Sequence, residues 1–214
     1  METNKVKLSD LKESERIDAI KGMYGDAESF LMKANPKIQV DFCDLRMAIS
    51  CDCPTIDDLC LTYGKTTVLN WLCVQLIDLT LYANCNSLPK VVCEELSRVI
   101  LVNCQKQLVK VSEMLHFFYT FKSGEEIWPD WKISPISIMF HLHKFFARRN
   151  AIQWFNEREK LKKVFLIVED QPRTKVYARV FRERKIAEEA LEERDDMTGE
   201  KLYPNCHIIE RTIE

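Results

Sequence analysis

The run Thr66-Thr67-Val68-Leu69-Asn70-Trp71-Leu72-Cys73-Val74-Gln75-Leu76-Ile77-Asp78-Leu79-Thr80-Leu81-Tyr82 decides the fold class. Its Val68, Leu69, Leu72, Leu76 and Leu79 recur at the three- and four-residue spacing that lines one face of a helix, and Gly64 stands just before it. Asn70, Gln75 and Asp78 interrupt the apolar run, so it falls short of the roughly 20 apolar residues that a bilayer span requires. The stretch predicts a long helix in a packed protein core, and no membrane segment.

The flanks extend the same pattern. Thr55 to Tyr63 predicts a short helix closed by Gly64, and Ser87 with Pro89 predicts a helix start continuing through Val92, Leu96, Val99, Ile100 and Leu108. Ser112 is expected to cap the next helix, whose Leu115, Phe118 and Phe121 share a face until Gly124. Upstream, Leu11, Ile20, Met23, Ala27, Phe30 and Leu31 predict one opening helix from Ser9 to Lys33, while residues 36–54 read as irregular or as a brief strand. Downstream, the loop holding Trp128, Pro129 and Trp131 is expected to fold back onto the core. Ser134-Pro135 then starts a helix running past Phe155 toward Phe165, Gln171-Pro172 breaks it, and a last helix is expected from Thr174 to about Asp196.

Only 5 Gly and 7 Pro punctuate 214 residues, far fewer than many short strands would need. The expected fold is all-α: a compact helical core over residues 1–155 with a charged C-terminal helical arm and tail over residues 156–214.

Nine scattered cysteines and an N-terminus without an apolar secretory stretch predict reduced thiols in the cytoplasm. Four of them, Cys43, Cys51, Cys53 and Cys60, lack the paired knuckle spacing of structural zinc sites. Glu113-x-x-His116 is half of a di-metal carboxylate pattern, but Ile138 and Phe140 stand where His141 and His143 would need a glutamate. Gly64-Lys65-Thr66-Thr67 has the tail of a phosphate loop, yet Leu59 occupies the position of its first glycine. The rhythm of Thr55, Leu59, Tyr63-Gly64, Val68 and Trp71-Leu72 approaches a helix-turn-helix with too short a turn. No nucleophile, base and orienting acid stand out, so no enzyme activity, cofactor, metal or small-molecule substrate is expected.

Charge is unevenly spread. Between Lys144 and Lys185, 13 Lys/Arg stand against 5 Asp/Glu, with Phe145, Phe146, Trp154, Phe155 and Tyr177 interleaved; residues 186–200 reverse to a net −6. A basic stretch of this density can neutralise phosphates, and it can equally serve as a solvated or protein-binding face.

Tyr63-Gly64, Trp71-Leu72-Cys73-Val74-Gln75-Leu76-Ile77-Asp78-Leu79 and Val111-Ser112-Glu113-Met114-Leu115-His116-Phe117-Phe118-Tyr119-Thr120-Phe121-Lys122-Ser123-Gly124 together resemble a helical family of unknown function found in Bacteroidales genomes, their mobile elements and their phages. The resemblance covers roughly Pro54 to Arg149, and its most specific piece is the segment from Ser112 to Gly124. In that family the Lys-x-Gly leads into a Tyr-Gly-rich turn, whereas Glu125-Glu126-Ile127-Trp128-Pro129 stands here. The resemblance implies a helical fold and a phage or mobile-element setting, without a mechanism. The combined expectation is a non-enzymatic accessory protein, cytoplasmic or virion-associated, that binds nucleic acid or a nucleoprotein partner. Lys144, Arg148, Arg149, Arg158, Lys162, Lys163, Arg179 and Arg182 are the expected contacts. The alternative is a structural or adaptor protein that docks other protein chains in a virion or regulatory assembly.

Overall fold

A computed structural model of the chain describes residues 7–83, 88–126, 133–161, 163–170, 175–181, 183–192, 194, 201 and 206–212. The chain divides into two compact units, Met1–Asn150 and Ala151–Glu214. The expected boundary lay at residue 155. The loop expectation for Trp128 and Trp131 falls outside the described residues.

The first unit is all-helical among its described residues. A 3-10 turn at Leu8–Asp10 leads into α1 (Glu13–Tyr24) and α2 (Ala27–Lys33), followed by a 3-10 helix at Pro36–Phe42 and α3 (Leu45–Ser50). The single opening helix expected from Ser9 to Lys33 is thus two helices. Gly25 separates them at φ 85°, a left-handed conformation that costs glycine nothing, and Asp26 caps α2 through the Ser29 amide. The stretch read as irregular or extended is mostly helical as well, because Asn35 and Asp44 supply caps to its two turns.

Then come α4 (Ile56–Tyr63), α5 (Lys65–Tyr82), α6 (Lys90–Lys106) and α7 (Val111–Lys122). Thr55 and Asp58 form a reciprocal capping box at the start of α4. Gly64, at φ 85° and ψ 150°, both ends α4 and begins α5, so one residue separates the two helices. Ser112 is not a cap. Helix α7 begins one residue earlier, and the Ser112 hydroxyl donates to the Ala48 carbonyl at 2.8 Å.

Helix α7 is buried on nearly every side from Val111 to Phe118, and its polar Ser112, Glu113 and His116 each bond inside the unit. Phe117 meets Phe118, Phe121 and Phe145 at ring separations of 5.2 to 5.5 Å. A second cluster joins Phe30, Tyr63 and Trp71, and the Trp71 indole donates to the Ala34 carbonyl at 2.7 Å. The indole N–H is thereby satisfied in a fully buried position.

Helix α8 (Pro135–Leu161) starts at the expected Ser134-Pro135 signal. Its residues to Asn150 belong to the first unit and the remainder to the second. In the second unit, β1 (Lys163–Asp170) pairs antiparallel with β2 (Lys175–Phe181) and with β3 (Cys206–Thr212), in the order β2-β1-β3. Helix α9 (Arg184–Leu191) buries Ala187 and Ala190. The helical fold class holds for the protein as a whole, but the arm read as helical is corrected: among its described residues only α8's end and α9 are helices, and three strands lie beside them. Lys163-Val-Phe-Leu-Ile-Val-Glu-Asp170 and Lys175-Val-Tyr-Ala-Arg-Val-Phe181 are rich in β-branched and aromatic residues that favour a pleated ladder.

Candidate functional site: the basic stretch and an apolar groove

The basic residues do not form one helical face. Arg149 is inside the first unit, its side chain 5% exposed against a fully buried Glu113. Its Nε donates to Glu113 Oε1 at 2.8 Å, while Nη1 and Nη2 donate to the Gln107 and Leu108 carbonyls. The other Glu113 oxygen accepts the Lys110 amide at 2.6 Å, completing a capping box on α7. Arg149 is therefore removed from the set of nucleic-acid contacts: a guanidinium this deeply buried, with four internal bonds, is not presented to a phosphate.

Its neighbours face outward with acidic partners. Lys144 Nζ lies 2.9 Å from Glu126, which also accepts from His141 Nδ1 at 2.9 Å, and Arg148 lies 3.7 Å from Glu125. In the second unit, the exposed Arg158 guanidinium sits 4.1 Å from the centre of the Trp154 ring, beside exposed Phe155. Lys163 opens β1 opposite Thr212, and Arg179 lies in β2 opposite Ile167. Lys162 and Arg182 lie outside the described residues.

The half-motif Glu113-x-x-His116 is divided between structural duties. Glu113 serves Arg149 and the α7 cap, while His116 Nδ1 bonds the Phe42 carbonyl at 2.7 Å. Burial lowers the His116 pKa below its ordinary value, which keeps the ring neutral. Among the described residues no three His, Cys, Asp or Glu side chains converge in a way that would hold a metal ion, and no helix is long and apolar enough to cross a membrane.

What sequence reasoning missed is an apolar groove between α6 and the start of α8, with a volume of about 460 Å³. Val91, Val92, Leu96 and Val99 form one wall, Pro135, Ile136 and Met139 the other, and Glu95 is the charged residue among them. Ile136 is 83% exposed, Val91 69% and Val99 47%, although each sits on a regular helix with an inward face available. The signal was present in α6, whose buried face runs through Cys93, Leu96, Ser97, Ile100, Leu101 and Cys104. Val91, Val99 and Val102 fall off that face, so their apolar character is surplus to folding.

Comparison of the chain with protein-family models, curated proteins and solved structures finds no match.

Proposed function

We propose that this chain is a non-enzymatic adaptor that docks an amphipathic helix of another protein into the groove between α6 and α8. The observation that carries the reading is the open apolar lining, with Ile136, Val91 and Val99 all exposed along it. From Val91 to Val99 is eight residues, so the groove runs about 12 Å along α6, matching two turns of a bound helix presenting anchors at i, i+4 and i+7. Fully burying an aliphatic side chain contributes about 1.5–3 kcal/mol, so anchors at these three positions favour docking, with the net affinity set by what remains after the cost of association. The setting is the phage or mobile-element context that the Pro54 to Arg149 resemblance implies.

The pairing of Lys144 with Glu126 and of Arg148 with Glu125 favours this reading over phosphate binding at the same helix, since phosphates would have to displace carboxylates already in place. A nucleic-acid reading rests on a different observation: the exposed Trp154, Phe155 and Arg158 at the far end of α8 offer a stacking surface beside a cation. Co-purification from the native cell separates the two. Ile136→Asp should abolish recovery of a defined protein partner, whereas Lys144→Gln with Arg148→Gln should leave it intact. Steeply salt-dependent binding to single-stranded DNA or RNA that Trp154→Ala abolishes would favour the second reading instead.

A further inference from the structure

Cys51-Asp52-Cys53-Pro54 links α3 to α4, and the function proposed above makes no use of it. The two sulfurs lie 3.0 Å apart, within about 1 Å of the 2.03–2.05 Å of a disulfide bond. Both cysteines are half-buried, which leaves them open to a small solute. Bonds from three directions hold the backbone around the pair. The Cys51 amide donates to the Met47 carbonyl at 2.9 Å, and the Cys51 carbonyl accepts Lys110 Nζ at 2.7 Å. Asp52 accepts the Leu8 amide at 3.0 Å, and the Pro54 carbonyl accepts the Val111 amide at 3.0 Å.

We infer that Cys51 and Cys53 are a redox-active dithiol, oxidised by hydroperoxides to an intramolecular disulfide. Cys51 attacks the terminal peroxide oxygen, the O–O bond breaks, and the leaving oxygen departs with the thiol proton as alcohol or water. Cys53 then attacks the Cys51 sulfenic acid, the S–O bond breaks, and hydroxide leaves as water with the Cys53 proton. Two electrons pass from the dithiol to the peroxide, and one disulfide, one alcohol or water and one further water result. Burial and the adjacent Cys51 push the Cys53 thiol up to about 12, which makes it a poor nucleophile toward peroxide from solution. Its position beside Cys51 compensates in the second step, where a neighbouring sulfur acts at high effective concentration.

Hydrogen peroxide is the probe. The full chain is treated, quenched with iodoacetamide and mapped by mass spectrometry. The expected product is a peptide with a Cys51–Cys53 link, lighter by two hydrogens, while Cys43 and Cys60 remain alkylated. In the unaltered protein dimedone should capture little Cys51 sulfenic acid, because the neighbouring thiol closes the disulfide faster than a reagent arrives from solution. Cys53→Ser should halt the reaction at a Cys51 sulfenic acid that dimedone captures. Should the serine variant fail to fold, phenylarsine oxide on the unaltered protein gives an independent reading, because a trivalent arsenical protects both thiols together only when they are adjacent. Oxidation of Cys51 or Cys53 singly without the linked peptide, or independent alkylation of Cys51 and Cys53 in the presence of the arsenical, would overturn the inference.

Discussion

Arg149 offers the sharpest perturbation of the structure described here. Replacing it with methionine keeps much of the side-chain volume and removes the charge, leaving the Glu113 carboxylate buried without its cation and the Gln107 and Leu108 carbonyls without their donors. Removing one partner of a buried pair costs about 3–5 kcal/mol, because the remaining charge has no water to solvate it. For a chain of this length each kcal/mol shifts the melting temperature by about 2–4 °C, so the expected fall is about 6–20 °C. Replacing both residues, Arg149→Met with Glu113→Leu, should recover the part of that loss due to the unpaired charge, while the Lys110 amide and the Gln107 and Leu108 carbonyls stay without their partners. Thermal and urea denaturation followed by circular dichroism reads both variants. Arg148→Gln is the control and should cost less than about 1 kcal/mol, because its Glu125 partner is exposed. A cost for Arg149→Met as small as the control would refute the buried pairing and return Arg149 to the basic surface.

Other outcomes follow from the same core. Phe118 is fully buried, so Phe118→Ala should lower stability by about 3–5 kcal/mol in urea denaturation. His116 is held neutral, with its pKa below 6.5, so the unfolded chain binds the proton first as pH falls. Stability should therefore be full above pH 6.5 and decline below it until the folded ring also titrates; the urea midpoint against pH should show this slope, and His116→Gln should flatten it. Val99→Asp, on an exposed site, should change stability by less than about 0.5 kcal/mol by the same denaturation while weakening partner binding.

The helices of the first unit were legible because their signals are local. Gly64, Pro89 and Pro135 stand at helix ends, and Val68, Leu72, Leu76 and Leu79 of α5 are buried as their spacing requires. The first helix pair was less so, since Gly25 and Asp26 sit within an otherwise continuous apolar rhythm that hides the positive φ of the one and the capping bond of the other. The strands β1 and β2 escaped for a different reason. Val176 and Val180 are four apart and fit a helical stripe, while the alternation that marks a strand is confined to a few residues amid charge. At the candidate site, Arg148 and Arg149 are indistinguishable in sequence, yet successive helical positions point about 100° apart, so one faces solvent and the other Glu113. That distinction is tertiary, as is the approach of α6 to α8 that leaves Ile136 and Val99 beside one groove.

Site-specific photo-cross-linking in the native cell bears most directly on the adaptor reading. A benzophenone side chain is placed at position 136, in the groove, or at position 148, on the basic stretch, of the full chain. The expected result is a discrete protein adduct from position 136 that survives nuclease treatment and disappears when Val99→Asp is added. Adducts arising from position 148 instead, and lost on nuclease treatment, would contradict the docking groove and return the function to nucleic acid.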